Sequence, residues 1–207
     1  MATSATTETW VANLALQRIG VATTTSLTGT DKASVAAALI FADTRDEVQR
    51  MFPWKNLTAR TALSTNSAGT SAYSYVHTLG LDCLRVLEII DIADDEAQNP
   101  DYRIEYRSLY HNLTQGYVRY IKQTTNITPW DPLMLTAIEC RLASKLAIWL
   151  TGQVALQQAL QQEIIQVLGV AVQTEAMEGR YDDNIKTLAM ISQQFIPTLA
   201  EQKRVNE

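Results

Sequence analysis

Hydrophobic positions recur with two different periods along this chain, and the changes of period divide it into parts. Up to about residue 52 the period is helical. Thr6 or Thr7 is placed to cap a first helix, with Glu8 in its first turn. Trp10, Val11, Leu14, Leu16 and Ile19 supply its apolar stripe, and Gly20 ends it. After a Thr/Ser/Gly-rich loop at 22–30, Asp31 caps a second helix running to about Met51. Its expected inner face is Val35, Leu39, Ala42 and Val48. Asp43, Arg45, Asp46, Glu47 and Arg50 are expected on a solvated face, and Pro53 stops the helix.

From Leu57 the period drops to about two. Leu57, Ala59, Thr61 and Leu63 alternate with more polar neighbours. Runs rich in Tyr, Val and Ile follow at 73–79, 84–92, 102–110 and 117–125, parted by Asn/Asp/Gly/Pro-rich breaks. These predict four or five strands, antiparallel because no helix-length crossover separates them. Helical spacing returns after Pro129. Asp131, with Pro132 at the first helical position, opens a helix to about Thr151 that Gly152 closes. Leu135, Ile138, Leu142, Leu146 and Trp149 share one face of it. A last long helix, about 154–178, turns Leu156, Leu160, Ile164, Val167, Leu168 and Ala171 inward. Beyond Tyr181, the residues Ile185, Leu188, Ile191, Phe195 and Leu199 are spaced for a short amphipathic helix broken by Pro197. The predicted fold is α+β: an antiparallel helical bundle of about four helices (7–52 and 131–180), an inserted antiparallel β-sheet lobe (54–127) and an extended C-terminal tail (182–207).

Composition narrows the function classes. At 207 residues, with 46% hydrophobic and 19% charged, the chain can build a full core. A net charge of −5 opposes a dedicated nucleic-acid binder, which needs a basic face to release counterions from phosphates. The opening residues have neither the basic start nor the apolar core of a secretion signal, which predicts synthesis in the cytoplasm. The sequons at Asn56, Asn112 and Asn126 are then chance matches. The apolar run 133–150 is broken by Glu139, Arg141 and Lys145, so no membrane span is expected. Cys83 and Cys140 lie far apart in apolar runs and read as two buried, reduced thiols.

No reaction centre or cofactor motif stands out: there is no GxSxG elbow, no phosphate-cradling glycine loop and no GxGxxG. His77 and His111 sit singly in strand-like runs without metal-ligand spacing. The acidic cluster Asp91, Asp94, Asp95, Glu96 and Asp101 lacks the glycine turn of a calcium loop and reads as a solvated hairpin. A hydrolase using Asp94, Asp95 or Glu96 is the enzyme alternative. Arg103, Arg107, Arg119 and Lys122 are interleaved with tyrosines. Alternation, however, sets Glu105 on the same face as Arg103 and Arg107, which favours a solvated sheet face over a nucleic-acid platform. The outer face of the last helix is mostly glutamine: Gln157, Gln158, Gln161, Gln162 and Gln166. Solvated faces are usually charged, whereas a neutral face can be covered without desolvating charges. Solvent exposure and a partner contact both remain open for it.

Four phrases in order carry a resemblance. They are LALQRIG (14–20) with Ser26 and Leu27; FPWKNLTARTAL (52–63) after the second helix; YSYVHTLGLDCLRVLEI (73–89), containing Asp82, Cys83, Leu84, Arg85 and Val86; and YVRYIKQTTNITPWDPLMLTAIECRLASKLAIWLTG (117–152). Together they span roughly 8–152 and resemble the head-to-tail adaptor (tail tubular protein A) family of short-tailed bacteriophages. Gly80 stands where the family pattern has proline. The resemblance implies a structural ring protein of the virion, twelvefold beneath the portal, presenting a platform to the tail nozzle. DNA would pass through the ring without specific binding, with no membrane, cofactor or catalytic role. A ring of chains at −5 each would line that passage with negative potential and let DNA slide. The expected interface comprises the five glutamines with Ile185, Leu188, Ile191 and Phe195 of the tail. A head- or tail-completion protein of another phage type is the alternative within the same class.

Overall fold

A computed structural model of the chain describes residues 7–65, 67–92, 100–128 and 130–178. They form helices α1 (Glu8–Arg18), α2 (Lys32–Met51), α3 (Pro132–Thr151) and α4 (Val154–Glu178). Six strands lie between α2 and α3: β1 (Thr58–Ala62), β2 (Tyr75–Thr78), β3 (Cys83–Asp91), β4 (Tyr102–Glu105), β5 (Ser108–His111) and β6 (Gly116–Lys122). The fold is α+β, with four helices and two antiparallel sheets. Two compact units divide the chain, one holding the described residues up to Thr44 and from Asp131 onward, the other Arg45–Trp130. The division falls inside α2. The tail expected at 182–207 lies outside the described residues.

In the helical unit, local chemistry sets the helix ends. The Thr7 hydroxyl accepts the Trp10 amide at 3.2 Å. Asp131 accepts the Leu133 amide at 2.7 Å, with Pro132 opening α3. Gly152 adopts φ 69° and ends α3, a conformation that any side chain would strain. The Asp31 carboxylate caps α2 through the amide and hydroxyl of Ser34, at 2.9 and 2.5 Å. These bonds hold its carboxyl below the usual aspartate range. The Thr-rich loop is pinned as well: Thr24 bonds Ser34, and Asn13 grips both backbone groups of Thr24 at 2.8 Å each. α3 packs against both α1 and α4. Alanines at 12, 15, 137, 143 and 147 are fully buried and permit close helix approach. Arg18 reaches Glu139 of α3 at 2.5 Å and Glu163 of α4 at 2.6 Å, stitching three helices.

Helix α2 buries only Val48 of the four-residue stripe expected of it. Val35 and Leu39 are 54% and 67% exposed and Ala42 is exposed, while Ser34, Ala37, Phe41, Thr44, Val48 and Gln49 are inside. Both sets fit a helical period. The set with small residues wins because it allows close packing and its polar members find partners. Thr44 donates to the Ile40 carbonyl at 2.7 Å and receives Lys145 at 3.1 Å. Arg45, expected on the solvated face, is buried beside Asp46 at 2.8 Å. At the far end of α3, Trp149 is 52% exposed and leaves the inner face.

The β unit contains two three-stranded sheets, ordered β1-β6-β3 and β2-β5-β4, rather than one sheet of four or five strands. The run read as a single strand at 102–110 folds back on itself. Glu105 pairs with Ser108, leaving Tyr106 and Arg107 as a two-residue turn. Arg107 therefore does not share a strand face with Arg103 and Glu105; the latter two pair at 2.8 Å. Leu79, Ile89, Leu109, Leu113 and Val118 make the core, with Leu63, Cys83, Val86, Tyr102 and Tyr120 packed against it. Gly116 is required where β6 starts, since a Cβ there would lie 2.6 Å from the Ile90 carbonyl. Residues from the end of α2 hold the entry to this unit. The Gln49 amide binds both backbone groups of Thr124, at 2.8 and 3.1 Å, and Gln123 donates to Asp46 at 2.5 Å. Arg50 donates to the Leu84 carbonyl at 2.6 Å. Trp54, 1% exposed, donates to the Val48 carbonyl at 3.1 Å and packs on Phe52.

Candidate interaction surfaces

The glutamine face is outward on α4. Leu160, Ile164, Leu168, Ala171 and Val172 are buried, whereas Gln158, Gln161, Gln162 and Gln166 are exposed and Gln157 is half-buried. Four of the five expected glutamines are thus fully presented. Beside them Ile165 and Val170 are exposed too, so this face mixes amides with aliphatic groups. The remaining members of the expected interface, Ile185, Leu188, Ile191 and Phe195, lie outside the described residues.

Two further surfaces are apolar and were not anticipated from the pattern. In the helical unit, Val35, Ala36 and Leu39 of α2 and Trp149 and Leu150 of α3 line an open groove of about 530 Å³, with Thr30 and Lys32 at its rim. In the β unit, two adjacent turns present large apolar side chains to solvent: Tyr106 at 97% and Leu81 at 87%. Arg107 ties the turns together by donating to the carbonyls of Leu79 and Gly80, and its own carbonyl receives the Leu79 amide at 2.8 Å. Tyr106 has φ 56°, a left-handed conformation ordinarily left to glycine or asparagine. The sequence signals for them were the Val35/Leu39 stripe, expected to face inward, and a tyrosine-containing run at 102–110 without a turn residue.

The histidines, the cysteines and Arg18 are used inside the fold. His77 and His111 lie on one face of the β2–β5 pair and bracket a single residue: the Ser64 amide donates to His77 Nδ1 at 3.1 Å, and His111 Nε2 meets the Ser64 carbonyl at 3.2 Å. Burial lowers both histidines, aided for His77 by the neighbouring His111 and opposed for His111 by the Ser64 and Leu113 backbone. Burial pushes the Cys140 thiol up to about 12 and raises Cys83 as well, so neither is a ready nucleophile. For Arg18, burial opposes the charge, but Glu139 and Glu163 more than offset it and hold the guanidinium firmly protonated.

Arg60 lies over the Tyr117 ring at 5.5 Å, and Arg119 pairs with Glu88 at 3.0 Å. Of the acidic cluster, Asp94, Asp95 and Glu96 lie outside the described residues. Among the described residues no group of three or more His, Cys, Asp or Glu side chains is placed to hold a metal ion, and no helix is long and apolar enough to cross a membrane. The chain matches no protein-family model and no curated protein.

Proposed function

We propose that this chain is a structural head-to-tail adaptor of a bacteriophage, forming a ring that joins the portal to the tail nozzle around the DNA channel. The observation that carries the reading is the outward glutamine face of α4, a long neutral surface backed by a buried apolar seam. Such a face can be covered by a neighbour without stripping water from charges. The ordered phrases also fall on framework elements. Leu14–Gly20 runs along α1 to its stop, Trp54–Leu63 forms a turn and β1, Asp82–Val86 opens β3, and Tyr117–Lys122 is most of β6.

DNA would slide past rather than be held. The sheet arginines already engage Tyr117, Glu88 and Glu105, and the chain carries −5 overall. The test is to mix the purified protein with its cognate portal and image by negative stain. Portal-dependent rings are expected; their absence across a range of salt and pH refutes the reading.

A further inference from the structure

We propose that the segment 185–199 of this same chain seats in the open groove between α2 and α3. The inference goes beyond the ring reading and does not depend on it. Val35 and Leu39 of α2 and Ile148 and Trp149 of α3 are exposed along this groove, Ala38 and Ala42 continue the stripe on α2, and Lys32 is the charged side chain lining it. Helix α2 is thus apolar on both sides, with Ala37, Phe41 and Val48 inward, and a helix of that kind is covered on both sides. α2 and α3 run antiparallel, since Thr44 meets Lys145 while Val35 and Leu39 share the groove with Trp149 and Leu150. Two helices packed in this way leave a groove that takes the ridge of a third.

The segment supplies such a ridge. Ile185, Leu188, Ile191, Phe195 and Leu199 recur at steps of three and four, so a helix sets them on one side and Lys186, Gln193 and Gln194 on the other. Gly179 stands just past the end of α4 and Asn184 just before the stripe, residue types that stop one helix and cap the next.

The length fits as well. α3 and α4 are antiparallel, joined by Gly152 and Gln153 and bonded from Ser144 to the Gln157 carbonyl at 3.5 Å, so the chain leaves α4 at the opposite end of α3 from Trp149. The 25 residues of α4 cover about 37 Å, which is the distance to be retraced. Residues 179–184 span about 20 Å when extended, and the helical rise from Ile185 to Phe195 adds about 15 Å, bringing Phe195 level with Trp149. Tethering favours this segment over a separate chain. A short linker holds it at about millimolar effective concentration, so even a contact of about 10 µM strength is about 99% closed.

The experiment places a photo-cross-linking benzoylphenylalanine at position 39 of the full chain, half of the sample isotope-labelled, at micromolar concentration without portal. Links from position 39 to the tryptic peptide 187–203 within one isotope class are expected. Links that mix the classes, which would report a second copy's tail, links elsewhere, or no links overturn the inference. Trypsin gives a second reading. Cleavage after Lys186 should be about 30-fold slower or more in the wild type than in Leu39→Glu or Phe195→Glu, and no faster in the double variant than in either. Leu39 is an exposed position, so its replacement leaves the helices folded, which circular dichroism checks. Equal cleavage rates in the wild type and both variants overturn the inference too. Ring formation on the portal is read separately, and its failure leaves the groove result standing.

Discussion

Acidification should loosen the β unit through His77 and His111. In the folded chain the Ser64 amide donates to His77 Nδ1, so that nitrogen must be unprotonated, while His111 Nε2 faces the Ser64 carbonyl. A proton on His77 would replace an accepted hydrogen bond with two donors pointing at each other, inside a site where both rings are buried. Both folded-state pKa values lie below 6.5, by burial first. The sign follows. Above the unfolded value both states are neutral and nothing changes; as pH falls through about 6.5 the unfolded chain takes up protons that the folded chain refuses, and stability drops. One pH unit below, each histidine costs at most about 1.4 kcal/mol, about 2.8 for the pair. Below that ceiling, the expected loss between about pH 7.5 and 5.5 is about 1–2.5 kcal/mol. These are the chain's only two histidines, so few other side chains titrate in that window. Urea unfolding followed by circular dichroism across the range measures the loss. His77→Asn and His111→Gln each keep an amide group near the bonded nitrogen and should each remove part of the slope, the double variant nearly all of it. Equal stability at both ends of the range, or an unchanged slope in the double variant, refutes the reasoning.

Other expectations are simpler. Tyr106→Gly relieves a left-handed tyrosine and should raise stability by roughly 1 kcal/mol in thermal unfolding; a loss would mean the turn is held by the ring itself. Arg18→Met leaves the Glu139 and Glu163 carboxylates facing without their cation. Because the arginine is partly solvated, the cost should be about 1–3 kcal/mol, less than for a fully buried pair, and circular dichroism on heating would report it. Cys140, with its thiol pushed up to about 12, should resist thiol reagents at mildly alkaline pH until the helices unfold. Gly116→Ala should destabilise the β unit by about 1–3 kcal/mol, read by urea midpoint, because the added methyl meets the Ile90 carbonyl.

What could be read from the chain was what neighbours in sequence decide. Thr7, Asp131 with Pro132, and Gly152 mark helix ends because a cap is a contact across two or three residues, and α4 is bounded as its apolar spacing predicts. The errors arose where long-range partners choose between locally equal options. α2 carries two stripes, and packing with Lys145 and the loop network at Thr24 selected the smaller, more polar one. The 102–110 run contains no glycine, proline, asparagine or aspartate after Tyr102, so nothing local announced the turn at Tyr106. His77 and His111 looked solitary because Ser64, which joins them, is remote from both along the chain. The glutamine face was legible, since surface position on a strongly periodic helix follows from spacing alone.

The clasp between Gln49 and Thr124 makes the β unit portable. The segment leaves at the end of α2 and finishes β6 beside its own starting point, so its two ends are already joined by a pair of hydrogen bonds between Gln49 and Thr124 and by the one from Gln123 to Asp46. An insert whose ends meet adds little loop-closure entropy to its host, however long it is. Excised as Arg45–Trp130, such a cassette should fold alone, and its surface loops can lengthen or shorten without disturbing the helices that bear it.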